Sequence, residues 1–171
     1  MNTCAALDKN FASTMASYNK WMNSRLYDVV ATLDDETRKK DMGAFFKSVH
    51  GTLNHILLAD KIWMGRFVQD PFSAKALSEE LYADFNELRC ERAKQDQRIV
   101  EWAAGLSAEE LAEDLRFKPV TAAQEKVLPM WLVVTHFFNH QTHHRGQITT
   151  LLMQLGIDPG ATDLPVMPRS E

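Results

Sequence analysis

Apolar residues recur along most of this chain at the three- and four-residue steps of an α-helix, and no longer period repeats. Phe11, Met15, Tyr18, Met22, Leu26, Val29 and Leu33 form one such stripe, which predicts a helix over residues 4–33, ended by the polar run DDETRKKD. Phe46, Val49, Leu53, Ile56, Trp63 and Phe67 predict a second over 43–68, interrupted on its apolar face by Asp60 and closed by Asp70-Pro71-Phe72. A third is expected from Ser78, as N-cap, to Gly105. Its middle positions Arg92 and Gln95 put polar groups on the expected stripe, as either a solvated stretch or a polar core position.

Ser107 and Glu110 have the spacing of a capping box and predict a short helix. Residues 116–126 show no helical stripe and fit either a short hairpin or a loop. Pro129 suits the first turn of a last long helix ending at Leu155, with Gly156 as the residue after the cap and an extended, proline-containing tail beyond. Four helices of this length, each with one apolar side, are satisfied by an all-α four-helix bundle, read as a single domain over residues 1–171.

Composition narrows the function classes. With 19 basic against 23 acidic side chains the formal charge is −4, so no overall cationic field favours nucleic acid or anionic lipid. No apolar run reaches a membrane span, no secretory leader is evident, and Cys4 and Cys90 form no C-x-x-C pair; a reducing cytoplasm is the expected setting. The tryptophans Trp21, Trp63, Trp102 and Trp131 fall on or beside helix seams, consistent with core or dimer packing.

Histidine crowding is the strongest chemical signal. His136, His140, His143 and His144 lie in the last long helix, and at about 100° per residue the first, second and fourth share a face while His143 is turned away. Side chains four apart have Cβ atoms about 5–6 Å apart, near enough for two imidazoles to meet on one cation. His140 is followed by Gln141 rather than the glutamate of the HExxH proteases, which removes the main support for a peptidase. A third ligand has to come from another helix, and the second helix offers His50 and His55, of which His55 lies in the apolar run TLNHILLAD. That residue equally suits a hydrogen-bonded core position.

The runs SVHGTLNHILLADKIWMGRF, residues 48–67, and HFFNHQTHHRGQITTLLMQLG, residues 136–156, resemble the two signature segments of the DinB/YfiT-like family of metalloenzymes, which is unrelated to the DNA polymerase of similar name. The resemblance implies a four-helix bundle, commonly dimeric, with one histidine of the second helix and a His-x-x-x-His pair of the last helix on a divalent metal: here His55, His140 and His144. It leaves His136 as a supporting or packing residue.

Three neutral imidazoles leave an ion with open positions, as in catalytic sites, and accept Zn, Ni, Fe, Co or Cu, with Zn or Ni expected first. Relatives that act on low-molecular-weight thiols make a thiol S-transferase acting on a small molecule the first expectation, and a stress-associated metal-binding protein without turnover the alternative. Asp60 is a candidate carboxylate for orienting an imidazole, or a capped, partly solvated residue. Arg145 and Gln147, beside His144, are candidates for contact with a substrate carboxylate or a partner subunit, and Asp163 for reaching the bundle mouth.

Overall fold

A computed structural model describes residues 9–168. The element order is α1 (Lys9–Ala31), α2 (Asp35–Lys39), α3 (Val49–Phe67), α4 (Phe85–Gly105), α5 (Ala108–Ala112), β1 (Asp114–Phe117), β2 (Lys126–Pro129) and α6 (Met130–Gln154), followed by a single 3-10 turn at Leu164–Val166. Helices α1, α4, α3 and α6 pack in that order around a ring, each against two neighbours, so the four-helix bundle is the architecture of the chain.

Several boundaries follow local chemistry that the apolar pattern does not carry. Helix α3 begins six residues later than the stripe suggests because Ser48 caps it, accepting from Gly51 N at 3.0 Å. Phe46 therefore lies in a turn before the helix, pinned by the Ala44–Lys47 bridge. Helix α4 begins at Phe85 rather than after Ser78, since Asp84 accepts from both Asn86 N and Glu87 N at 2.9 Å. The polar run after α1 itself forms α2, capped by Asp34.

The Ser107–Glu110 capping box is present at the head of α5. Residues 114–129 form an antiparallel hairpin, Asp114 pairing with Pro129 and Phe117 with Lys126. Gly156, at φ 76°, ends α6: its amide donates to Met153 O and that of Ile157 to Leu152 O, the paired bonds of a Schellman motif. The predicted start of the first helix, and Cys4 with it, lies outside the described residues; Cys90 is exposed on α4.

The core is two apolar clusters with a polar layer between them. One gathers Met22, Leu26, Leu53, Ile56, Leu88 and Leu152; the other gathers Ala16, Met64, Ile99, Val133, Phe137 and Phe138. Between them Arg92 pairs with Asp60 at 2.6 Å and Asp96 at 2.9 Å, and all three are at least 97% buried. Asn19 and Asn23 donate to Asp96 at 3.0 and 2.9 Å, Gln141 donates to Asp60 at 2.9 Å, and Arg145 donates to Asn19. The polar middle of α4 is thus core, not a solvated face. Two arginines against two aspartates leave the layer formally neutral, which is how charge is tolerated at this depth.

Candidate metal centre

Helix α3 contributes His55 and helix α6 contributes His140 and His144, brought together across the α3–α6 contact. The phase of α6 is fixed by the polar layer. Gln141 and Arg145 point inward to Asp60 and Asn19, so the residues one position before each, His140 and His144, are rotated about 100° away, toward His55.

His55 Nε2 lies 3.3 Å from His140 Nε2, and His144 Nε2 lies 3.0 Å from the same atom. Three nitrogens bound to one tetrahedral ion at about 2.0–2.1 Å are separated by about 3.3 Å, close to the spacing observed. Tautomers sharpen the fit. His55 Nδ1 is 2.8 Å from the Leu77 carbonyl and must donate to it, and His144 Nδ1 likewise donates to Gln147 Oε1 at 2.8 Å. Both rings therefore present a bare Nε2 lone pair to His140, which has one Nε2 position and can donate to only one of them. A cation at the centre satisfies all three, so the residues fit a divalent metal.

Protonation is disfavoured here. Burial, assisted by the neighbouring imidazoles, holds His140 down to about 3, and burial holds His55 down to about 4 against the bond to Leu77. His144 is also lowered by burial, with the Gln147 bond opposing. At neutral pH the cluster is uncharged, the form that binds a metal.

The surroundings of His55 are built by residues that helical spacing does not single out. Asn54 Oδ1 accepts from Leu81 N at 2.9 Å and Tyr82 N at 3.0 Å, and His50 Nε2 donates to Tyr82 O at 2.9 Å. These bonds clamp the segment before α4 onto α3 and set the Leu77 carbonyl on His55. The Phe46 ring stacks on His55 with centroids 3.7 Å apart and planes at 16°. That approach depends on Gly51, where a Cβ would run into the Phe46 carbonyl oxygen. The only sequence signal for this support is a pair of polar residues, His50 and Asn54, four apart in an apolar helix.

The remaining candidates separate cleanly. Asp60 touches no imidazole; it is buried in the ion pair with Arg92 and is neither an orienting carboxylate nor partly solvated. Arg145 is also buried, over the Tyr18 ring at 5.3 Å, and meets no surface. Asp163 is exposed in a tail tied to α1 by Tyr18 Oη donating to Thr162 O at 2.5 Å, away from the histidines. Gln147 is the residue that orients His144. His136 packs edge-on against Trp63 at 5.5 Å, and His143 is exposed, off the shared face. His50, with 1% exposure, is buried more deeply than His55 at 6%, but it is engaged by Tyr82. Trp131, 43% exposed, lies outside the core.

Three recesses reach the cluster. Two meet between His55 and His140, which line both: one of about 730 Å³ walled by Phe45, Phe46 and Leu77, the other of about 360 Å³ by Trp63, Phe117 and Val120. A third, of about 450 Å³, touches His55 alone of the three ligand candidates and is lined by His50, Asp41, Glu79 and Glu80.

Comparison with known proteins agrees with this architecture. The chain is similar to Protein DinB of Bacillus subtilis (strain 168), 27% identical over 163 residues, which cover 90% of this chain and 91% of that protein. It is also similar in fold to a DinB-like protein from Bacillus cereus ATCC 10987, with a TM-score of 0.58 at 17% identity over 82% of this chain and 90% of that one. The model of the DinB family matches residues 2–171, and the chain belongs to the DinB family.

Proposed function

We propose that the protein is a divalent-metal-dependent enzyme of the thiol S-transferase type, with His55, His140 and His144 holding the ion. The observation that carries this reading is the convergence of three neutral imidazoles, two with bare Nε2 lone pairs, at the meeting point of two recesses. When bound, the ion supplies a positive charge that favours the thiolate over the thiol. Leu77 O and Gln147 hold the rings of His55 and His144 in the ligating tautomer. The apolar walls around them offer surface to the apolar part of a substrate. The two recesses lined by His140 carry no carboxylate, Asp41, Glu79 and Glu80 lining only the recess beside His50 and His55, which favours thiol transfer, a reaction that needs no acidic general base.

In the transfer, a carbon–sulfur bond forms as the bond to the leaving group breaks; the leaving group departs with its electron pair and the thiol proton passes to solvent. Zn or Ni is the expected metal, with Fe, Co and Cu accepted by the same ligands. The setting read for it is a cytoplasmic homodimer acting on a small molecule, with no nucleic-acid or membrane partner; no helix among the described residues is long and apolar enough to cross a membrane.

Elemental analysis of tag-free protein tests the site: about one ion per chain is expected in the wild type and none in His55→Ala or His144→Ala variants that keep their helical circular dichroism. Thiol-dependent consumption of an alkyl halide by the loaded protein tests the reaction. Equal rates for wild type and His144→Ala would sink it. Phe45, 84% exposed at the mouth of the larger recess, favours one second reading, a stress-associated metal-binding protein that engages a partner without turnover.

A further inference from the structure

The recess that runs from His55 and His140 along Trp63 carries two cations, Arg66 and Lys126, and no aspartate or glutamate among its lining residues. Of these cations Arg66 is the more constrained. Its guanidinium lies over the Trp63 ring at 4.3 Å and the Phe117 ring at 4.6 Å, which restrains its position. Its Nη2 donates to the Lys118 carbonyl at 3.1 Å, while Nε and Nη1 have no hydrogen-bond partner and the side chain has no ion-pair partner among the described residues. A half-buried arginine seated over two rings, with open donors and no counter-ion, is preorganised for a planar oxyanion.

The position of Arg66 relative to the histidines sets the shape of what would bind. From the guanidinium the path runs 4.3 Å to Trp63, 5.5 Å on to His136 and 5.8 Å on to His140, along a recess whose walls include Ile62, Trp63, Phe117 and Leu128. We propose that this recess takes an amphipathic carboxylate: the carboxylate on Arg66, an apolar body along Trp63 and Phe117, and the reacting end at the three histidines. Lys126, on the same wall, adds a second positive charge near the anionic end. The proposal assigns a substrate class to the proposed enzyme and rests on that reading for what happens at the histidines, though not for the anion subsite itself.

The test uses two matched probes, ω-mercaptooctanoic acid and ω-mercaptooctanol, titrated calorimetrically into zinc-loaded full-length protein. Wild type is expected to bind the acid about tenfold more tightly than the alcohol. Arg66→Gln should erase that preference while keeping the ion and the affinity for the alcohol; Lys126→Gln should reduce it in part. An Arg66 that only braces the hairpin through Lys118 would instead weaken both probes together. Equal affinity of wild type for acid and alcohol, or a preference that survives Arg66→Gln, overturns the proposal. If the wild type binds no ion, the metal reading fails separately, and octanoic acid against octanol on the metal-free protein decides the subsite by the same criterion.

Discussion

Two polar clusters are buried between the helices of this bundle, and they are opposites. In the inner layer Asp60 and Asp96 share Arg92 and are balanced in charge by Arg92 and Arg145, with Asn19, Asn23 and Gln141 donating to the carboxylates. In the histidine cluster the hydrogen bonds all lie on the outer side, at Leu77 and Gln147, and the inner nitrogens face each other without enough protons to pair. A cluster whose charges are paired holds helices in register; a cluster of converging lone pairs could hold a metal ion.

The comparison breaks first in stability. Arg92→Met leaves two buried aspartates without their cation, and urea unfolding should show a loss of about 3–5 kcal/mol. The corresponding change at the other cluster, His140→Ala, should leave metal-free stability within about 1 kcal/mol but cost more than the about 10–100-fold in zinc affinity that losing only an orienting partner costs. Competition titration with a chelator reads that loss. Gln147→Leu is the smaller version, removing the acceptor for His144 Nδ1 while keeping three imidazoles, with an expected fall of about tenfold to 100-fold.

A further difference is a slope with pH. His55 and His140, held down to about 4 and about 3, refuse protons that the unfolded chain accepts near 6.5. The unfolded state therefore binds more protons between those values, and metal-free stability should fall as the pH is lowered from 6.5 toward 4. Asp96, pushed up by burial to about 6 despite Arg92, works the other way: folding favours its protonated form, so its contribution declines as the pH rises through the range from 3.8 to about 6. Replacing all three histidines by glutamine should make the fall toward acid pH shallower, the remainder coming from His50 and His136, which burial also lowers, as measured by thermal melting in a chelator.

The same two clusters show what could be read before the structure was known. The three histidines are legible because i, i+4 spacing and an inward helix face are both properties of a repeating pattern, and the resemblance to the family supplies the choice between His50 and His55. Asp60 is legible as an anomaly but not in its role, because its partner Arg92 is 32 residues away and nothing in a helical stripe says which polar positions face each other. The start of α4 was hidden for a similar reason. Residues 78–84 follow Asn54 and His50 rather than their own periodicity, so Leu81 looks like a helical residue and is held instead by a side chain of α3. The hairpin under Arg66 depends on cross-strand pairing that a short irregular sequence does not announce.

His55 and His140 are 85 residues apart in the chain, on different helices. An ion gripped by both would be a reversible cross-link across half the molecule, opposing the separation of α3 from α6 that a protease needs before it can cut. Occupancy lowers the open population in proportion to free metal over its dissociation constant. Cellular lifetime, and with it abundance, would then track the supply of the ion, with no regulator needed beyond the bundle itself.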